Sequence, residues 1–199
     1  QALSFAVINP ANESVIAEVA SVSAGQVNDA VHTALQAFKA WKNVSDDAVK
    51  QAFAKIAADI RAEKDEIAQL ITLEQGKTIG MAQFEVDAGA SWIDYLSGLD
   101  IPVETIQEPN GKTIKVYNRP LGVIASVTPW NWPFMIAVWH IFPALKTKNC
   151  VINKPSEYTP LSTIKLVEII NRHVPAGVCS IVLGKGEIGQ ALTEHADVA

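Results

Sequence analysis

Three short apolar runs in the second half of the chain constrain its fold more than any other feature. They occupy residues 121–128, 150–153 and 178–183. Runs of this kind are typical of strands that are covered on both faces of a sheet. A stretch with the character of a helix follows each run, so strand and helix alternate three times. The alternation predicts an α/β fold with a parallel, Rossmann-like sheet and right-handed crossovers.

Turn and capping residues predict where the helices between these strands begin. A helix is expected after Pro133, because proline suits a first helical position. Thr159 is a good N-cap and Pro160 a good first residue, so the next helix is expected from there to about Arg172. The glycine-rich segment 184–189 is expected to open a third helix.

The first 100 residues have a different pattern, a hairpin followed by helices. Strand-like residues 3–8 and 15–19 flank a turn at 9–12. Apolar residues then recur at helical spacing, and Gly76 is expected to end one of the helices. The helical stretches are 27–41, 49–60, 67–71 and 81–99.

The segment 101–120 separates these two patterns. It contains a predicted strand pair, and residues 113–119 alternate apolar and polar positions, which favours an exposed or edge strand. We therefore expect three parts: an N-terminal hairpin and helical part at 1–100, a strand pair at 101–120, and the start of the sheet-containing core at 121–199.

Composition excludes several classes of function. The net charge is -5 without a basic cluster, which argues against nucleic acid as a partner. No apolar run approaches about 20 residues, so no membrane span is expected, and the first residues lack the pattern of a signal peptide. Cys150 and Cys179 begin strand-like runs and are expected to be buried, free thiols in a reducing cytoplasm; no Cys/His spacing predicts a metal site.

Polar residues follow the first two predicted strands, at the sheet edge where open α/β sheets bind ligands. The first block is Thr128, Pro129, Trp130 and Asn131, and the second is Lys154, Pro155, Ser156 and Glu157. The amide of Asn131 could donate a hydrogen bond to an oxyanion. It could equally cap the helix that begins near Pro133, and spacing alone favours the cap.

Two further signals point to a nucleotide. Glu157 follows the second strand, where nucleotide-binding folds place an acid that accepts from ribose hydroxyls, and Lys154 could donate to the same ribose. The alternative is a surface ion pair of little consequence. The spacing Gly184-x-Gly186-x-x-Gly189 matches a dinucleotide fingerprint, although a glycine turn required only for packing fits it about as well.

Taken together, four blocks resemble the N-terminal portion of the aldehyde dehydrogenase superfamily, in the order and at the spacing of that family. They are Pro129-Trp130-Asn131-x-Pro133, Lys154-Pro155-Ser156-Glu157-x-Thr159-Pro160, Pro175-x-Gly177-Val178 and Gly184-x-Gly186. The similarity extends over essentially the whole chain. It implies NAD(P)-dependent oxidation of an aldehyde to a carboxylic acid, by an enzyme that forms a homo-oligomer through an arm at 101–120.

The resemblance also implies roles for individual residues. Asn131 corresponds to the oxyanion-hole amide, and Thr128, Pro129 and Trp130 to contacts with the dinucleotide. Lys154 and Glu157, with Pro155 and Ser156 between them, correspond to the grip on the adenine-side ribose; Gly186 and Gly189 correspond to the turn and helix against which the cofactor packs. The carboxylate of Glu157 favours NAD over NADP, because a 2′-phosphate would be repelled.

The family's nucleophilic Cys and general-base Glu have no counterpart in the 199 residues. The chain is therefore expected to correspond to about the first two-fifths of such an enzyme and to be inactive alone. In the complete enzyme, a Cys thiolate attacks the aldehyde, Asn131 stabilises the oxyanion, hydride passes to the nicotinamide, and water releases the acid. The alternative is a catalytically inactive truncated homologue that serves as a nucleotide-binding or interaction module.

Overall fold

The computed structural model describes residues 4–108 and 110–199. An antiparallel hairpin opens this part of the chain, with β1 (Ser4–Ile8) paired to β2 (Val15–Ala20). Phe5, Val7 and Val19 form a small apolar cluster on its inner side. This cluster packs against Leu161 and Leu183, so the hairpin is attached to the α/β part of the molecule.

Four helices follow the hairpin, as the apolar spacing predicts. They are α1 (Ala24–Trp41), α2 (Asp46–Ala62), α3 (Lys64–Gln75) and α4 (Ile79–Gly98). Ser23 begins α1 with a capping box, and Ser45 caps α2 through its side-chain oxygen. Gly76 ends α3 with a φ of 88°, a left-handed conformation that suits glycine.

A second antiparallel pair, β3 (Glu104–Gln107) and β4 (Thr113–Val116), lies between the helices and the parallel sheet. Every residue of both strands is exposed, as the alternating pattern of 113–119 predicts. Among the exposed side chains are the large apolar groups of Ile106, Ile114 and Val116.

The predicted parallel sheet is present in the last two-fifths of the chain. It consists of β5 (Val123–Val127), β6 (Cys150–Lys154) and β7 (Cys179–Ile181) in the order β5-β6-β7. The helices that follow them are α5 (Pro133–Lys146), α6 (Leu161–Asn171) and α7 (Gly186–Thr193). The alternation of strand and helix and the parallel pairing confirm the α/β, Rossmann-like fold class.

Helices surround the sheet in layers. Helix α1 packs across all three strands and contacts α7, while α5 and α6 pack on the strands and on each other. Helices α2, α3 and α4 form an outer layer on α5 and α6, where the rings of Phe53 and Phe142 meet edge to face at 5.0 Å. The central strand β6 is buried along its whole length, as expected for a strand covered on both faces. Within the described residues, no helix combines the length and apolar character needed to cross a membrane.

The predicted start of α6 is wrong in one respect. Thr159 does not cap the helix; Pro160 occupies the N-cap position, and α6 begins at Leu161. The free amides of Leu161 and Ser162 donate instead to the carboxylate of Glu74 on α3. A carboxylate accepts both amides and is a stronger acceptor than a hydroxyl, so a residue from a distant helix replaces the local cap.

Candidate active site

The loops that follow β5 and β6 are held side by side. Val127 and Lys154 are partners in the parallel register, so the two strands end at the same level. The amide of Thr128 donates to the carbonyl oxygen of Lys154 at 3.0 Å, which joins the first residues of the two loops. The hydroxyl of Thr128 is buried and has no hydrogen-bond partner in the described part of the chain.

A cavity of about 690 Å³ lies beside these loops. Trp130 lines it from the loop after β5, Glu157 from the loop after β6, and Lys185 from the turn before α7. The hairpin strand β1 closes another side with residues that include Phe5. The cavity therefore brings together three loops at the carboxyl ends of the sheet, where ligands bind in folds of this class.

Lys154 and Glu157 form an ion pair that is largely shielded from solvent, unlike a surface ion pair. Lys154 is buried, with 4% of its surface exposed, and Glu157 is partly buried at the cavity wall. The Lys154 ammonium donates to the carbonyl of Pro155 at 3.0 Å and to the Glu157 carboxylate at 3.5 Å. Pro155 and Ser156 between them are buried, so the backbone that leads from Lys154 to Glu157 is held inside the protein.

The three glycines of the 184–189 segment have different surroundings. A side chain at Gly184 would collide with Ile188, because a Cβ there would lie 2.4 Å from the Ile188 Cγ1 atom. Gly186 faces open space, and its helix α7 has no side-chain cap. A Cβ at Gly189 would lie 3.5 Å from the stem of Lys154, so α7 packs next to the loop after β6. Gly184 is thus required for packing, whereas a side chain at Gly186 would meet open space and one at Gly189 would touch Lys154.

Asn131 is exposed and does not cap α5. The first amides of that helix, on Phe134 and Met135, both donate to one carboxylate oxygen of Glu85 at 3.0 Å. Glu85 lies on α4 and is fully buried. The helix-cap interpretation of Asn131 is therefore wrong, because a distant carboxylate occupies that position. Asn131 and Pro129 lie outside the set of residues that line the cavity, and both are exposed.

Lys77 connects Glu85 to the Asn131 loop. Its ammonium lies 2.5 Å from the second carboxylate oxygen of Glu85 and donates to the backbone carbonyl of Asn131 at 3.1 Å. It also lies over the ring of Trp132, 4.2 Å from the ring centroid. One cation therefore contacts the carboxylate, the peptide of Asn131 and the next side chain.

Glu74 plays the corresponding part for α6 and has a different environment. It is 3% exposed, and its carboxylate accepts from the amides of Leu161 at 2.6 Å and Ser162 at 3.0 Å and from the Ser162 hydroxyl at 2.5 Å. Burial raises the pKa of Glu74 to about 7; the donors around it oppose the shift, and the charge of Glu85 adds to it. Glu74 also lines the cavity.

The functional motifs of the sequence did not point to Glu74 or Glu85, but the apolar spacing of their helices did mark them as unusual. Glu74 is on the buried stripe of α3 that contains Ile67 and Ile71, and Glu85 is on the buried stripe of α4 beside Val86. A carboxylate on an apolar helical stripe must find donors. Which donors it finds depends on the tertiary packing of α5 and α6, and no local pattern specifies that.

Neither cysteine is suited to nucleophilic chemistry. Cys150 and Cys179 are free and buried, as predicted, and burial raises the pKa of each thiol to about 12. A thiol with such a pKa is protonated at neutral pH, and only the thiolate is a nucleophile. In the described residues, no group of three or more His, Cys, Asp or Glu could hold a metal ion.

Comparisons with known proteins show which family the chain resembles in sequence and in fold. The model of the aldehyde dehydrogenase family matches residues 1–199. Lactaldehyde dehydrogenase from Escherichia coli is 35% identical with a TM-score of 0.95, over 100% of this chain and 43% of that chain. PnpE, solved in complex with nicotinamide adenine dinucleotide, is 35% identical with a TM-score of 0.95, over 98% of this chain and 41% of that chain.

A curated relative supports the same grouping. FUS7 of Gibberella fujikuroi, a protein named as an aldehyde dehydrogenase, is 38% identical over 188 residues, which are 94% of this chain and 41% of FUS7. The chain thus spans about two-fifths of the length of the relatives that it matches. By its sequence over all 199 residues and by its fold, the chain belongs to the aldehyde dehydrogenase family.

Proposed function

We propose that this chain provides the cofactor-binding part and the oxyanion donor of an enzyme that oxidises an aldehyde to a carboxylic acid with NAD. The observation that carries the proposal is the buried Lys154 beside Glu157 at the wall of a large cavity. Burying a lysine is costly, so a site that maintains one has a use for its charge and its protons.

The residues around the cavity suit a dinucleotide. The Glu157 carboxylate can accept hydrogen bonds from ribose hydroxyls. Two N–H groups of the Lys154 ammonium donate to Pro155 and Glu157, which leaves a third as a donor to the ribose. Gly189 lets α7 pack closely on the stem of Lys154, and the buried hydroxyl of Thr128, on the loop after β5, has no hydrogen-bond partner in the described residues. When bound, NAD would supply the hydride acceptor of the reaction.

Asn131 is proposed as the oxyanion donor. Its side chain is exposed, and it makes no side-chain hydrogen bond within the described residues, so the amide is available to a substrate. The two cysteines of this chain are buried with raised pKa values. We therefore propose that the nucleophilic thiolate and the general base come from elsewhere in the complete protein.

The remaining features of the proposal concern partners and location. The strands β3 and β4 expose apolar side chains at Ile106 and Ile114, which suits an arm that packs on a second copy of the protein. A homo-oligomer is therefore proposed, with 101–120 as its oligomerisation arm. The two free thiols suit a reducing cytoplasm.

The test of the oxyanion role is Asn131→Ala in the complete protein, assayed with NAD and a panel of aldehydes. We expect kcat to fall by about 10²–10³-fold, the usual effect of removing one oxyanion donor. Asn43→Ala, at another exposed asparagine, is the matched control. An unchanged kcat with an intact circular dichroism spectrum would remove Asn131 from the reaction. NAD binding without turnover in the wild-type protein would favour an inactive nucleotide-binding homologue.

Cofactor choice is tested at Glu157. A 2′-phosphate would place like charge against its carboxylate, so we propose that the enzyme prefers NAD to NADP. We expect Glu157→Gln to lower the ratio of kcat/KM with NAD to kcat/KM with NADP. Glu168→Gln, an exposed carboxylate on α6, is the matched control. A wild-type protein that prefers NADP, or an unmoved ratio in the variant, would contradict the role of Glu157.

A further inference from the structure

We propose that Lys77 and Glu85 are positioning residues for Asn131. They form a clamp, the Lys77–Glu85 clamp, that fixes the backbone from which the oxyanion donor projects. The inference rests on the proposed function for its catalytic consequence, whereas the clamp itself consists of contacts in this chain.

The clamp holds the backbone at Asn131. The Lys77 ammonium joins the Glu85 carboxylate at 2.5 Å to the carbonyl of Asn131 at 3.1 Å. That carbonyl belongs to the residue whose side-chain amide is the proposed donor. Restraining the peptide of Asn131 therefore restrains the origin of its side chain.

The clamp also holds the other end of the same segment, at the start of α5. The remaining oxygen of Glu85 accepts from the amides of Phe134 and Met135. Trp132, between the two attachment points, lies under the Lys77 ammonium at 4.2 Å. The five residues 131–135 are thus attached at both ends to one buried ion pair.

The position of the Asn131 side chain depends on this backbone support. Its side chain is exposed and receives no hydrogen bond from the described residues, so side-chain packing cannot hold it. A donor works only when it lies within hydrogen-bond distance of the developing charge, and a displacement of about 1 Å can cost about 10²-fold in rate. The backbone attachment is what remains to set the position of this amide.

The clamp can be removed without leaving a buried charge. In the double variant Lys77→Met with Glu85→Gln, both charges disappear together, and the Gln carbonyl oxygen can still accept from the first amides of α5. The variant loses the ion pair itself, the bond to the Asn131 carbonyl and the cation above Trp132. The matched control is Lys64→Met with Asp87→Asn, an ion pair of the same 2.5 Å length between α3 and α4 that does not contact the 131–135 segment.

Kinetics of the complete protein give the first measurement. We expect the clamp variant to lose about 10–100-fold in kcat with the KM for NAD unchanged, because only the oxyanion donor moves. The control pair is expected to retain the wild-type kcat. In an Asn131→Ala background the clamp variant should cause no further loss, because the donor is already absent. A full additional loss in that background, or an equal loss in the control pair, would overturn the positioning role.

Amide hydrogen exchange separates this inference from the proposed function. We expect exchange at residues 131–136 to be faster in the clamp variant and unchanged in the control pair. If the wild-type protein does not oxidise aldehydes but exchange responds as expected, the proposed function fails and the clamp stands. Unchanged exchange in the clamp variant would reject the clamp whatever the kinetics are.

Discussion

The N-termini of α5 and α6 are built in the same way and charged differently. Each follows a strand of the parallel sheet, and each is capped by a buried glutamate from the outer helical layer, Glu85 for α5 and Glu74 for α6. Glu85 has the Lys77 ammonium at 2.5 Å. Glu74 has the Ser162 hydroxyl and two amides around it, and burial raises its pKa to about 7.

The difference shows what a buried cap requires. Both carboxylates satisfy helix amides that no local side chain satisfies. A cation beside the carboxylate makes the cap dependent on a second side chain, whereas neutral donors make it dependent on pH. The α5 cap supports the loop of Asn131, and the α6 cap supports the loop of Glu157. The two loops of the proposed site should therefore respond to different perturbations.

The largest expected effect concerns the α5 cap, in which Glu85 is paired with a cation. Lys77→Met leaves the fully buried Glu85 without its cation, which should lower the free energy of unfolding by about 3–5 kcal/mol. Urea unfolding followed by circular dichroism measures the change. The double variant Lys77→Met with Glu85→Gln should recover most of the loss, because no buried charge remains. A single-variant loss below about 1 kcal/mol would place this pair with ordinary surface pairs.

The next effect belongs to Glu74 and depends on pH. Its folded pKa, about 7, lies above the ordinary value of 4.5, so the folded state holds the proton more tightly than the unfolded state. The stability that protonated Glu74 contributes is therefore fully present below about pH 4.5 and is lost as the pH rises through 7. Above that pH, Glu74 causes no further change. The loss is on the order of 3 kcal/mol.

Two variants test that assignment by urea unfolding across pH 4 to 8. Glu74→Gln imitates the protonated carboxyl group and should remove this part of the pH dependence. Ser162→Ala removes a donor that stabilises the charged form, so the decline should begin at the same pH and continue to a higher one. If Glu74→Gln retains the wild-type slope, another group titrates in this range. The groups that face Glu74 are Ser162, the Leu161 amide and, through its charge, Glu85.

The fold was predictable from the sequence because its signals are local. The apolar runs that became β5, β6 and β7 carry their own strand pattern, and Gly76 marks the end of α3 by its own chemistry. The alternating apolar and polar positions of 113–119 likewise favoured an exposed or edge strand, and β4 is exposed.

The caps were not predictable because they depend on residues far apart in the chain. Thr159 and Asn131 have good local chemistry for N-caps, and both predictions failed. Glu74 and Glu85 reach those helices across 87 and 49 residues of sequence. A charged acceptor from another helix displaced the local candidate in each case. The cofactor roles of Lys154 and Glu157 remain predictions that binding measurements must test.

The smallest expected effect concerns two ion pairs that have the same N–O distance and differ in burial. Lys64–Asp87 and Lys77–Glu85 both measure 2.5 Å and both involve α4, but the side chains of the first pair are 30% and 51% exposed, against 11% and 0% in the second. Water screens the first pair, so Lys64→Met should lower the free energy of unfolding by less than about 1 kcal/mol. The measurement is the same urea titration, repeated in high salt, where the small Lys64 effect should shrink further. A Lys64→Met loss as large as that of Lys77→Met would mean that ion-pair length, and not burial, decides the contribution of each pair.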